Sequence, residues 1–154
     1  MNIFVLDNDI DKCVEYHTDK HVVKMILESA QMLCTVLHLN GMDAPYKKTH
    51  ANHPCTIWAN KSLDNWLWLK EFALKLNDEY KYRYGKDVDH KSATIVKSLS
   101  TPSLPSIGLT PFAKAMPDDL MAINDPIEAY RKYYMREKRH IAKWTKRKKP
   151  YWWK

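Results

Sequence analysis

Apolar positions return every three or four residues along most of this chain, the spacing that places them on one face of a helix. Val22, Met25, Ile26, Met32, Leu33, Val36 and Leu37 mark one such stripe, and residues 11–39 are predicted to form an amphipathic helix. Asp9 or Asp11 is placed to cap its start, and Gly41 stands just past its end. A second stripe through Ile57, Trp58, Leu63, Trp66, Leu67, Phe72, Ala73 and Leu76 predicts helix from Pro54 to Tyr84. Pro54 suits a first turn, Gly85 suits a stop, and Ser62 is positioned to cap a fresh helix within the stretch. Pro102, Pro105, Pro111 and Pro117 make residues 101–118 a connecting loop, because proline lacks the amide that regular structure needs. Asp125-Pro126 restarts a helix that runs through Ile127, Tyr130 and Tyr134 toward Ile141. No segment sustains period-two alternation; Ile3–Leu6 reads as a short strand or as a strap laid across the helices. The expected fold is all-α: a compact single domain over residues 1–154, with about three long helices, a proline-rich connecting loop and a basic, aromatic C-terminal helix or tail at 131–154.

A chain of 154 residues buries enough surface to fold without a disulfide or a structural metal. Its three cysteines, Cys13, Cys34 and Cys55, are widely spaced with no CxxC pair, which argues against a disulfide framework or a zinc ribbon and for a cytoplasmic setting. No export signal and no membrane span is read from the pattern.

Charge is more informative than the cysteines. The formal net charge is +7, yet residues 131–154 hold eleven Lys and Arg against Glu137 alone, while residues 1–130 hold 14 basic against 17 acidic side chains. The same tail carries six of the eighteen aromatics. Cations that meet phosphates, interleaved with rings that stack on bases, suit nucleic acid, and Arg131, Lys132, Tyr134, Arg139, Lys146, Arg147, Lys148 and Trp152 are the candidate contacts. The plainer alternative is a solvated basic segment whose aromatics pack on the body. A polybasic membrane patch has no lipidation motif to support it.

The densest group of reactive side chains lies on the first predicted helix. His17, His21, Lys24, Glu28 and Gln31 follow one another at helical spacings of three and four, with Lys20 beside them. Against the ordinary reading of a solvated stripe with a Lys24–Glu28 pair, two more histidines, His50 and His53, stand ready in the segment before Pro54. The expectation is a site between these segments, with His17, Lys20, Gln31, His50 and His53 contacting substrate and Trp58 stacking on a base. A metal site on His17, His21, His50 and His53 is the weaker reading: there is no HExxH sequence, and Lys20 sets a cation beside the ion. Three isolated glycines make no phosphate loop, and Cys55 lacks a convincing base, so no metal and no cofactor is assigned.

Asp19-Lys20-His21-Val22, with Glu28 seven residues after the histidine, resembles the Asp-x-His-Leu segment and catalytic glutamate of phage-type pyrimidine-dimer DNA glycosylases. The His53 segment followed by Lys61–Lys70 resembles that family's second turn and long helix, and Tyr130–Tyr134 is similar to its aromatic C-terminal stretch. The resemblance implies a metal-free helical enzyme that acts on damaged DNA, excising a base with an N-terminal α-amine as nucleophile and a glutamate to assist. It places Glu28 as the catalytic carboxylate, His21 at the site and His53 as a contact; the family exposes its amine by removal of methionine, whereas Asn2 leaves Met1 in place here, so Met1 itself offers the amine. Lys24 or Lys20 is the alternative amine, and the family's DNA-gripping arginines fall here on Leu27 and Gln31. The leading expectation is a DNA glycosylase with associated AP-lyase activity on duplex DNA. Its rivals are a non-catalytic nucleotide or nucleic-acid binder in the same cleft, and a metal-dependent hydrolase.

Overall fold

The computed structural model describes all residues, 1–154, and contains seven α-helices and no strand. Two long helices form its centre: α2 (Asp19–Leu39) and α4 (Leu63–Tyr84). They run antiparallel, since Arg83 at the end of α4 meets Asp19 at the start of α2, while Trp66 near the start of α4 donates to Leu33 O near the end of α2. Around them lie α1 (Ile10–Glu15), α3 (Pro54–Ala59), α5 (Lys91–Ser98), α6 (Asp118–Met121) and α7 (Pro126–Glu137). The all-α expectation holds, with α2, α4 and α7 as the three principal helices.

The predicted boundaries are met where a side chain caps an amide. Asp9 accepts from the amides of Asp11 and Lys12, Ser62 from Asn65 at 3.0 Å, and Asp125 from Ile127 at 3.0 Å. Gly85 closes α4 in the left-handed conformation at φ 61°, where a Cβ would be strained.

Three expectations need correction. The helix foreseen over 11–39 is two helices: Thr18, extended at φ −63° and ψ 158°, caps α2 through the amide of His21 and breaks the chain after α1. His17 therefore lies in the joint, off the α2 stripe, and its ring enters the core. Helix α5 is new. The helix begun at Asp125 ends at Glu137, is followed by a single tight turn at Arg139–Ile141, and the tail beyond is irregular.

That tail folds back on the body. Lys143 O accepts from the Asp19 amide at 2.8 Å, and Trp144 Nε1 donates to Tyr16 O at 2.8 Å. Arg147 makes two hydrogen bonds to the buried carboxylate of Glu79 at 2.8 and 2.9 Å. Helix α2 is long and apolar enough to cross a membrane by length and composition, but 67% of that stretch is buried inside the protein, as befits a core helix.

Candidate active site

The first residues thread beneath the helices. Ile3, Phe4, Val5 and Leu6 are each at most 3% exposed, so the apolar run is a buried strap and not a strand. Asn2 anchors it: Nδ2 donates to Ala115 O at 2.8 Å, and Oδ1 accepts from Tyr130 Oη at 2.9 Å and from the Ile3 amide at 2.8 Å. Those bonds fix where Met1 sits. Its α-amine lies 3.5 Å from Glu28 Oε1, the oxygen that also accepts the Asn2 amide at 3.0 Å.

Lys24, one turn before Glu28 on α2, brings Nζ to 3.7 Å of Oε2. Its side chain is 65% exposed against 10% for Glu28, so the carboxylate stands between one sheltered amine at the strap and one solvated amine at the rim. A small cavity of about 100 Å³ opens here, bordered by Met1, Phe4, His21, Lys24, Glu28 and Lys138 among others.

His21 is nearly buried, stacked on Phe4 at a centroid distance of 4.5 Å. Burial is the main force that takes its pKa down to about 2, and the neighbouring His17, Lys138, Lys24 and His140 push the same way, so the ring is neutral at ordinary pH. Nδ1 lies 2.8 Å from Tyr134 Oη, and Tyr134 Oη itself accepts the Thr18 amide at 3.1 Å. The tyrosine hydroxyl is thus the hydrogen-bond partner of Nδ1, giving or receiving the proton according to the imidazole tautomer.

His53 caps α3 by accepting the Cys55 amide at 3.1 Å, and it lies beside Met1. Burial first, then the charge of the α-amine and of His50, lowers its pKa. Met1, His21, Lys24 and Glu28 are therefore brought together, with His53 next to them.

Other predicted residues go elsewhere. His17 is fully buried with Nδ1 2.7 Å from Cys13 O and its ring against Phe72, so it does not reach the cavity. The four histidines consequently do not converge, and no group of three or more His, Cys, Asp or Glu stands in metal-binding reach. Trp58 is buried, donating to Thr110 O at 3.2 Å and packing on Trp68 and Phe112, so it offers no free face for a base. His50 is exposed and bonded to Thr49 Oγ1, Gln31 is half-buried further along α2, and Lys20 is exposed at the start of α2.

The tail also divides. Tyr134 is fully buried and Trp152 is 7% exposed, so neither presents a ring to an outside base. Arg131 is spent on Leu6 O and Asp7, both at 2.8 Å, beneath Tyr151 and Trp152, and Arg147 on Glu79. These four serve the fold, because rings bury apolar area and arginines neutralise inward carboxylates. Lys132, Arg139, Lys146 and Lys148 remain exposed; Lys132 forms a surface pair with Glu128, and Lys146 donates to Tyr82 O at 2.9 Å.

Sequence reasoning missed Asn2, Phe4, Tyr133 and Lys138 at the cavity. Only the apolar run after Asn2 hinted at a buried strap, and nothing in the pattern linked Lys138 to Phe4, over whose ring its Nζ stands at 5.7 Å. No curated protein and no solved structure matches the chain. Residues 1–92, which carry the Asn2 anchor and the His21 and Glu28 turns of α2, match the family model for pyrimidine dimer DNA glycosylase, and with more than half of the 154 residues covered the chain belongs to that family.

Proposed function

We propose that the chain excises a damaged base from duplex DNA and then cleaves the strand, with the α-amine of Met1 as nucleophile and Glu28 as proton carrier. The observation that carries this reading is the amine 3.5 Å from Glu28 Oε1 beside an open cavity. Glu28 takes a proton from the ammonium, and the freed amine attacks C1′ of the sugar. The C1′–base bond breaks with its electron pair going to the base, which leaves carrying the proton that the attacking nitrogen sheds once it is bonded to C1′. The glutamic acid returns its proton to O4′ as the ring opens, and the nitrogen lone pair forms the iminium. Glu28, again a carboxylate, then takes a C2′ proton, and the electron pair of that bond expels the 3′ phosphate. Met1 is favoured over Lys24 because its amine is sheltered against Glu28 Oε1 at 3.5 Å, whereas the Lys24 side chain is 65% exposed and stands 3.7 Å from Oε2 at the rim.

The test mixes the protein, in EDTA, with duplexes that carry an abasic site, a pyrimidine dimer or neither, and adds borohydride. The expected result is a covalent adduct with the abasic or dimer duplex, mapped by mass to the tryptic peptide Met1–Lys12. An adduct on Lys20 or Lys24 would overturn the choice of nucleophile. Tight DNA binding with neither adduct nor strand cleavage would replace the enzyme with a binding protein.

A further inference from the structure

A second, larger cleft of about 490 Å³ opens where the tail crosses the junction of α2 and α4, with Lys20, Arg83, Arg139, His140, Lys143 and Thr145 in its lining. Its one carboxylate, Asp19, is consumed inward: Oδ1 accepts from Arg83 Nη1 at 3.2 Å and from the Thr145 amide at 2.8 Å, and Oδ2 from Thr145 Oγ1 at 2.5 Å. Arg83 is equally consumed, by Glu79 at 2.6 Å and by the carbonyls of His17 and Glu15 at 2.6 and 2.7 Å. The floor charges cancel within the fold. The rim keeps Lys20, His140 and Lys143, all exposed, without an acidic residue to answer them.

The cleft adjoins the candidate active site along two paths. Lys20 precedes Lys24 by four residues on α2, about 6 Å along the axis. Arg139 directly follows Lys138, whose amine borders the small cavity. The cationic rim is therefore within reach of a DNA strand whose sugar is placed at Met1 and Glu28. Residues 139–145, which form one wall, lie outside the 1–92 family match, so this wall belongs to the part of the chain the family model does not describe.

We infer that this cleft holds a backbone phosphate of the bound DNA strand, gripped by Lys20 and Lys143. The inference rests on the glycosylase reading for the identity of its ligand. Phosphate contacts fix register and make affinity depend on salt, each one contributing about −0.9 to the slope of log affinity against log salt.

The test is fluorescence anisotropy with a duplex carrying a non-cleavable abasic analogue, from about 50 to about 200 mM salt. Lys20→Ala/Lys143→Ala is expected to flatten the slope by about 0.9 or more, and Lys20→Arg/Lys143→Arg to restore it. The fold should survive, because Lys143 holds Asp19 through its backbone carbonyl and Lys20 is exposed. An unchanged slope and affinity in the alanine pair would overturn the inference. So would tight inorganic phosphate binding that Lys20→Ala/Lys143→Ala abolishes while DNA affinity stays constant, which marks a free-anion site. Borohydride trapping with the unaltered protein on an abasic duplex separates the two readings: DNA binding with the expected slope change but no adduct removes the chemistry and leaves the cleft.

Discussion

Tyr134 Oη lies 2.8 Å from His21 Nδ1 and receives the Thr18 amide at 3.1 Å, so a residue of α7 holds an imidazole of α2 by one of its two ring nitrogens. His21 is then a neutral ring beside the cavity, unsuited to shuttling protons near pH 7. Tyr134→Phe removes that hydroxyl and leaves the Thr18 amide without an acceptor, which should destabilise the fold by about 1–3 kcal/mol. Nitrogen-15 shifts of His21 should show one tautomer in the unaltered protein and a mixture in the variant. Unchanged shifts would end the idea that Tyr134 positions the ring.

Glu28→Gln keeps an oxygen for the Asn2 amide at 3.0 Å but ends the charge opposite Met1. If Glu28 carries protons, single-turnover base release should fall by about 10²–10⁴-fold while duplex affinity stays within about twofold. A loss confined to affinity would make the carboxylate a binding group.

The sequence pattern disclosed some of this arrangement and hid the rest for physical reasons. Local rules were enough for Ser62 and Gly85, since a cap or a left-handed glycine acts within a few residues. The break at Thr18 was hidden because Cys13, Val14, His17, His21 and Val22 keep helical spacing across it. Helix α5 offered only Ala93 and Val96 as apolar buried positions, too few to show a period. The nearness of Met1 to Glu28 came from likeness to a family, not from spacing. Charge counting placed Arg147 and Arg131 on the DNA side because nothing local says that Arg147 meets Glu79, 68 residues away.

Glu79 tests how far the tail depends on that inward pairing. It is 5% exposed; burial alone would raise its pKa, yet Arg147 and Arg83 hold it below the usual carboxylate range. Glu79→Gln strands the fully buried Arg83 side chain without its full counter-charge and loosens Arg147. The expected loss is about 3–5 kcal/mol in urea unfolding, with faster proteolysis after residue 142. Arg147→Ala should give the faster proteolysis with a smaller loss, because Arg83 still neutralises Glu79. Equal resistance of both variants to protease would show that the aromatic packing of the tail suffices without the ion pairs.

The two core histidines predict how stability follows pH. Burial lowers the pKa of His17 to about 4 and that of His21 to about 2, whereas both would titrate near 6.5 in the unfolded chain. As pH falls through about 6.5 the unfolded state takes up protons that the native state refuses, so unfolding becomes more favourable. The loss accumulates at about 1.4 kcal/mol per pH unit for each such proton, from about 6.5 toward 4 for His17 and lower still for His21. His53 and His90, also lowered chiefly by burial, add to the loss with the same sign. Urea midpoints should therefore decline steadily between about pH 6.5 and 4.5, before the carboxylates begin to protonate. A flat profile over that window would mean that His17 and His21 accept protons in the folded protein, and with it the neutral imidazole at the site would be lost.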